Sequence, residues 1–246
     1  MNQSAPETTR DAFLGGRLHV AQPARGYRAG IDAVLLAAAV PAAAGQTALE
    51  LGCGVGVAAL CLAKRAGVAV TGVELQPAYA ELARQNAAAN RLPLDVITAD
   101  LRTLPADLRQ RNFDHVIANP PYFDRATGHR SRDPGRDTAL GGETALADWI
   151  DCAARRLTPK GQFTLILRIE RLPDLLGLLA GRLGSVTMRP ISARAGRAPD
   201  LFLLHARKDG RAPFRLTAPL ILHDGAGYTD MVDAALRDGA ALPFGD

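Results

Sequence analysis

Lysine is nearly missing from this 246-residue chain: of its 29 basic residues only Lys64, Lys160 and Lys208 are lysine, the rest being arginine. Arginine grips phosphate with two parallel donors, so this text suits phosphate binding, although genome composition would equally explain both it and the alanine richness. A net charge of +4 does not separate the two explanations. Cysteine is also scarce. Cys53, Cys61 and Cys152 share no metal-ligand spacing and the five histidines are scattered, so reduced buried thiols are expected, with neither a disulfide frame nor a metal site. No apolar run is long enough for a membrane span, since the most apolar stretch, residues 33–44, is short and carries a proline. The polar opening residues lack the apolar stretch of a secretory signal, which points to the cytoplasm. Repeats, low-complexity tracts and interdomain linkers are absent as well. A single domain over residues 1–246 is expected, with an N-terminal extension (1–31) and a β-rich C-terminal segment (184–246).

What is present is an alternation of strand and helix text. TALEL (47–51) reads as a buried strand, GCGVG as a glycine turn, and residues 57–67 as a helix stopped by Gly67. Residues 68–75, 94–100 and 113–119 read as further strands, and 77–91 as a helix with proline in its first turn. A polar loop over 123–143 precedes a helix at 143–157, a turn at Lys160-Gly161, a strand at 162–168 and a helix at 171–184. The text then becomes β-rich (185–191, 200–208 and 214–222) and closes on a helix at 229–239. Repeated strand–helix–strand units need parallel strands with right-handed crossovers. The fold class is therefore α/β, a doubly wound, mostly parallel sheet with an antiparallel strand or strands at its edge.

Three acidic features end successive strands. Glu50 sits just before the turn bearing Gly52, Gly54 and Gly56; Glu74 ends the next strand, and Asp100 the one after it. In such a sheet the carboxyl ends of parallel strands share one crevice, and the Gly52–Glu74 separation suits a ribose-binding carboxylate. The third glycine comes one residue early for a pyrophosphate fingerprint, and Glu50 would repel a pyrophosphate. A ligand with a cationic centre, an amino-acid end and a ribose fits better, as S-adenosylmethionine does. Read alone, Asp100 would be a helix cap or turn residue.

The next strand ends in Asn119-Pro120-Pro121-Tyr122, a rigid corner presenting an amide and a phenol at that same edge. Together, E-x-G-x-G-x-G, the strand-ending acids, Asp100-Leu101 and NPPY resemble class I S-adenosylmethionine-dependent methyltransferases acting on planar amide or amine nitrogens. That resemblance implies a Rossmann-like, seven-stranded sheet. It implies that the Asn119 side chain and the Pro120 carbonyl accept hydrogen bonds from the target amino group, that Pro121 stiffens the corner, and that Tyr122 stacks on the ring. Leu75 and Leu101, which follow two of the acids, join the cofactor site by the same likeness.

NPPY also occurs in enzymes that methylate a glutamine amide of release factors, with variants in guanine-N2 rRNA methylases. Residues 13–41, 136–149 and 220–243 are similar to one narrower family, the bacterial tRNA adenine-N6 methyltransferases, whose type member modifies the adenine 3′ of a valine tRNA anticodon. The resemblance implies tRNA as the partner, beside the expectation from composition of no metal and no membrane. Arg125, His129, Arg130, Arg132 and Arg136 in the loop after NPPY suit RNA phosphates, although Asp124, Asp133 and Asp137 nearly cancel their charge. Arg28 and Asp32 belong to a segment that folds over the pocket in that family; read alone, Asp32 is a helix N-cap. Asp200 stands where a more basic strand edge would suit RNA. Other readings left open are a protein-glutamine or guanine methylase and a non-catalytic cofactor- or RNA-binding module.

Overall fold

The structure is a computed structural model that describes residues 7–121 and 144–244. Its spine is a sheet of seven longer strands: β3 (Thr47–Leu51), β4 (Ala69–Glu74), β5 (Leu94–Thr98), β6 (Phe113–Ala118), β7 (Leu157–Arg168), β8 (Gly184–Ser192) and β9 (Leu201–Arg207). They lie in the order β8-β9-β7-β6-β3-β4-β5, all parallel except β9, which runs antiparallel to both neighbours. The antiparallel strand expected at the edge thus stands inside the sheet, between β7 and β8. Two short strands, β10 (Arg215–Leu216) and β11 (Leu220–Ile221), pair in parallel with β8 beyond it. Residues 214–222, expected as one strand, break there because Pro219 has no N–H to donate to the ladder.

Alternation along the strands packs both faces. Ile117, Ile166 and Leu203 point to one side and join α1 (Ile31–Ala39), α2 (Val57–Ala66), α3 (Pro77–Asn90) and α7 (Asp230–Asp238). Their neighbours Val116, Leu165 and Phe202 point to the other, toward α4 (Ala106–Gln110), α5 (Leu146–Arg156) and α6 (Leu172–Leu179). Helix boundaries follow local chemistry: α2 ends at Gly67 and α7 at Gly239, both left-handed, and α3 begins on Pro77. The expected Lys160-Gly161 turn is a bulge inside β7. Leu157 and Gln162 both pair with β6, and Lys160 has a φ of 63°.

An antiparallel hairpin that the sequence reading did not include, β1 (Thr8–Phe13) and β2 (Leu18–Pro23), lies against α3. Two asparagines hold it. The Ala21 amide donates to Asn86 Oδ1 (2.7 Å), and Asn86 Nδ2 donates to the carbonyls of Ala21 and Val55 (both 3.0 Å). Asn90 brackets His19 in the same manner, accepting at 3.1 Å and donating at 2.7 Å. Because Val55 belongs to the glycine turn, Asn86 couples hairpin, helix and turn. Asn86→Ala is expected to lower unfolding free energy by about 2–4 kcal/mol, since buried backbone partners lose their hydrogen bonds. Urea denaturation checks this, and a loss under about 0.5 kcal/mol would contradict the coupling.

Candidate active site

Strands β3, β4, β5 and β6 run in parallel, so their carboxyl ends meet at one edge. There Glu50, Gly52, Gly54, Glu74, Leu75, Asp100, Leu101, Asn119, Pro120 and Pro121 line a crevice of about 1100 Å³ including its open mouth. This is the crevice expected of a doubly wound sheet. The turn needs its glycines: Gly52, Gly54 and Gly56 have φ of 61°, 55° and 88°. At Gly52 space is also decisive, for a Cβ there would lie 2.4 Å from Trp149 Cη2. Gly56 lies behind the turn as the left-handed N-cap of α2 and does not line the crevice.

The carboxylates are held by main-chain amides. Glu50 Oε2 accepts from Ala59 N in the first turn of α2 at 2.8 Å. Glu74 accepts from Gly54 N on Oε2 and from Gln76 N on Oε1, both at 2.8 Å. Only 4% of Glu50 is exposed, and burial drives its carboxyl up to about 8, the Ala59 amide opposing and the Glu74 charge reinforcing. Burial raises Glu74 as well, against the pull of the Gln76 and Gly54 amides. Asp100 goes the other way. Its side chain accepts from Arg102 N (2.8 Å) and from Arg102 Nη2 (2.6 Å), and hydrogen bonding to Arg102 lowers its pKa. Asp100 is therefore both the cap of the short 3₁₀ turn Leu101–Thr103 and a pocket wall.

Tyr27 and Tyr79 complete the wall, and the sequence reading had not assigned them. The Tyr79 hydroxyl accepts from Tyr27 N (3.1 Å) and lies 3.3 Å from Tyr27 O, fixing the segment before α1 over the glycine turn. Burial, and then the negative charges of Asp32, Glu50 and Glu74, raise the Tyr27 phenol, which stays neutral. Trp149 packs on Gly52 and lines the crevice. Only the run RGYR ahead of a glycine hinted at Tyr27, and nothing local marked Tyr79.

Two expected substrate contacts lie outside the crevice lining. Arg28 does not line the crevice: its guanidinium ties the hairpin, bonding Asp11, Thr9 Oγ1 (2.6 Å) and Pro23 O (2.7 Å). Asp32 does not line it either, and the N-cap of α1 is Gly30, which leaves Asp32 in the first helical turn. Tyr122, Arg125, His129, Arg130, Arg132 and Arg136 lie outside the described residues.

The donor set fits S-adenosylmethionine. Glu74 can take ribose hydroxyls on its remaining lone pairs, Asp100 an exocyclic amine, and Leu75, 46% exposed at the rim, offers an apolar face to a base. Buried carboxylates with raised pKa favour a cationic ligand, which would draw them into the ionised form.

The family model of the methyltransferase small domain matches residues 28–187. The chain belongs to that family. It is an S-adenosylmethionine-dependent methyltransferase. It is 31% identical to a tRNA1(Val) (adenine(37)-N6)-methyltransferase of Dickeya chrysanthemi, with 96% of each chain covered. A protein of the same name from Porphyromonas gingivalis is 34% identical, covering 89% of this chain and 90% of its own. Among solved structures, a predicted O-methyltransferase of Agrobacterium tumefaciens superposes with a TM-score of 0.72 at 29% identity, over 86% of this chain and 98% of that one. A 16S rRNA N2 G1207 methyltransferase of T. thermophilus shares the fold, with a TM-score of 0.58 at 23% identity over 83% of this chain and 51% of that one. Among the described residues no cluster could hold a metal ion, and no helix is long and apolar enough to cross a membrane.

Two experiments probe this enzyme's carboxylates. Glu50 has a folded pKa above its unfolded value, so its stabilising effect is complete below about 4.5 and is lost as pH rises through about 8. Wild-type stability should therefore fall more steeply than that of Glu50→Gln between the two, and parallel melting curves would refute the assignment. Arg102→Ala should weaken cofactor binding about tenfold and move the acid limb of affinity to higher pH, because Asp100 then protonates more readily. Calorimetry across pH decides, and an unmoved acid limb would remove Arg102 from the site.

Proposed function

We propose that the enzyme methylates N6 of an unpaired adenine in tRNA, with Asn119 and the Pro120 carbonyl as acceptor groups for the reacting amine. The observation that carries this is the shared crevice: the Asn119-Pro120-Pro121 corner opens into the same space as Glu50, Glu74 and Asp100. The relatives supply the substrate class, since proteins bearing that name match nearly end to end.

When bound, S-adenosylmethionine supplies a methyl on a sulfonium. The chain's part is positioning. An adenine amine is a poor nucleophile because its lone pair is delocalised into the ring. Two fixed acceptors, the Asn119 amide oxygen and the Pro120 carbonyl, take its two N–H bonds and favour a pyramidal nitrogen. The lone pair then points toward the donor half of the crevice. The sulfonium would give up its methyl to that nitrogen, leaving a neutral thioether, and the nitrogen's surplus proton would leave for water. Both adjacent prolines fix φ, so the acceptors hold their angle without a strong base nearby. Two acceptors match an amine with two protons and would leave one unmet before a hydroxyl, which argues against an oxygen acceptor. Glu74 would hold the ribose and Asp100 the adenine of the cofactor, with Leu75 and Leu101 beside it, and by the family resemblance Tyr122 would stack on the target ring. Unpaired, an anticodon-loop adenine costs little to extrude, roughly a few kcal/mol or less. This reading places the enzyme with tRNA in the cytoplasm.

Labelled cofactor incubated with separate tRNA and protein pools, followed by nucleoside analysis, should give N6-methyladenosine from tRNA alone. Label in a protein glutamine or in guanosine would overturn the substrate. Asn119→Ala should lower kcat by about 10²–10³ while leaving cofactor affinity intact. A kcat within about threefold of wild type would remove Asn119 from the chemistry.

A further inference from the structure

Beyond the acceptor corner the same edge of the sheet continues past β7, β9 and β8. Because β8 is parallel to β6, residues after Ser192 emerge on the side where Asn119 lies, three strand spacings away, about 14 Å. The loop over 193–200 is followed in space by a hairpin of β12 (His223–Asp224) and β13 (Gly227–Tyr228). Hydrogen bonds fasten the two together: His223 N donates to Ala193 O at 3.0 Å, and Arg194 Nη1 to Gly225 O at 2.7 Å.

We propose that this loop and hairpin form the surface that takes the RNA backbone a few nucleotides from the target base; the proposal rests on the RNA reading above and deepens it. Three independent features coincide there. First, the charge changes along the edge: the cofactor half ends in Glu50, Glu74 and Asp100, whereas this part exposes Arg194 and Arg197. Arg168 at the end of β7 is engaged by Glu170, and Asp200 and Asp224 are also exposed, so the surface is mixed rather than uniformly basic. Arg197 nevertheless has no side-chain hydrogen-bond or ion-pair partner among the described residues, in a loop whose residues 193–198 are all exposed. Second, the rings of His223 and Tyr228 stack at 4.8 Å and 22°, a preformed pair on which an unpaired base can continue the stack. Third, the loop is anchored at both ends. Asp200 N donates to Ile191 O and Ile169 N to Asp200 O, so its arginines project from a fixed platform. Asp200 serves this anchor through its backbone, while its exposed carboxylate stays a negative charge at the foot of the loop.

Binding of tRNA across a salt series tests the surface, with Arg197→Glu and the double variant Arg194→Glu/Arg197→Glu. The single variant removes no contact within the fold, so it keeps the test free of unfolding. Arg197→Glu should weaken tRNA binding about tenfold at low salt and reduce the salt slope by about one; the double variant should reduce it by about two. Cofactor affinity should remain that of wild type in both. If wild type methylates tRNA while both variants keep its affinity and slope, the surface is wrong and the proposed activity stands. If wild type methylates no RNA, the proposed activity fails, and this surface with it.

Discussion

Two carboxylates buried beside one glycine turn set the conditions for the rest of the site. Glu50 and Glu74 end adjacent parallel strands, and each is tied to a backbone amide of the turn or of the helix behind it. An anion pair with so little water is costly by itself. It persists because amides meet the oxygens and because the carboxyls hold their protons more tightly than in water. Such a site discriminates by charge. It repels a pyrophosphate and becomes favourable when a cation enters, which suits a sulfonium ligand.

The architecture around that pair keeps it rigid. Trp149 from the far face fills the space where Gly52 has no side chain, and Asn86 from α3 holds the turn's Val55 carbonyl together with the N-terminal hairpin. The Tyr79 hydroxyl pins Tyr27 above the turn. Three elements distant in sequence thus converge on five residues of loop. Fixed geometry is what a reaction without a strong base requires, because its barrier falls through alignment rather than proton transfer.

Much of this was legible in the text. The alternation of strands and helices, the Gly67 and Gly239 stops, and the placement of Glu50, Glu74, Asp100 and Asn119 at strand ends all follow from local signals. What escaped were features that depend on distant partners. The β1–β2 hairpin turns at Gly15-Gly16, a local signal that went unread, but its register is held by asparagines about seventy residues away. Arg28 was expected near the substrate from the family resemblance of its segment, yet in the fold Asp11 and Pro23 engage its guanidinium. Tyr79 sits in an ordinary helix, and only the fold shows that its hydroxyl reaches Tyr27.

The central claim is that one edge holds the methyl donor and a flat amine in reacting alignment. A crystal structure of the enzyme with S-adenosylhomocysteine and adenosine monophosphate tests it most directly. The account predicts ribose hydroxyls on Glu74, the thioether sulfur facing the adenine N6, and that nitrogen within hydrogen-bond reach of Asn119 Oδ1 and Pro120 O. A donor lodged away from the glycine turn, or a base whose amine points away from Asn119, would contradict it.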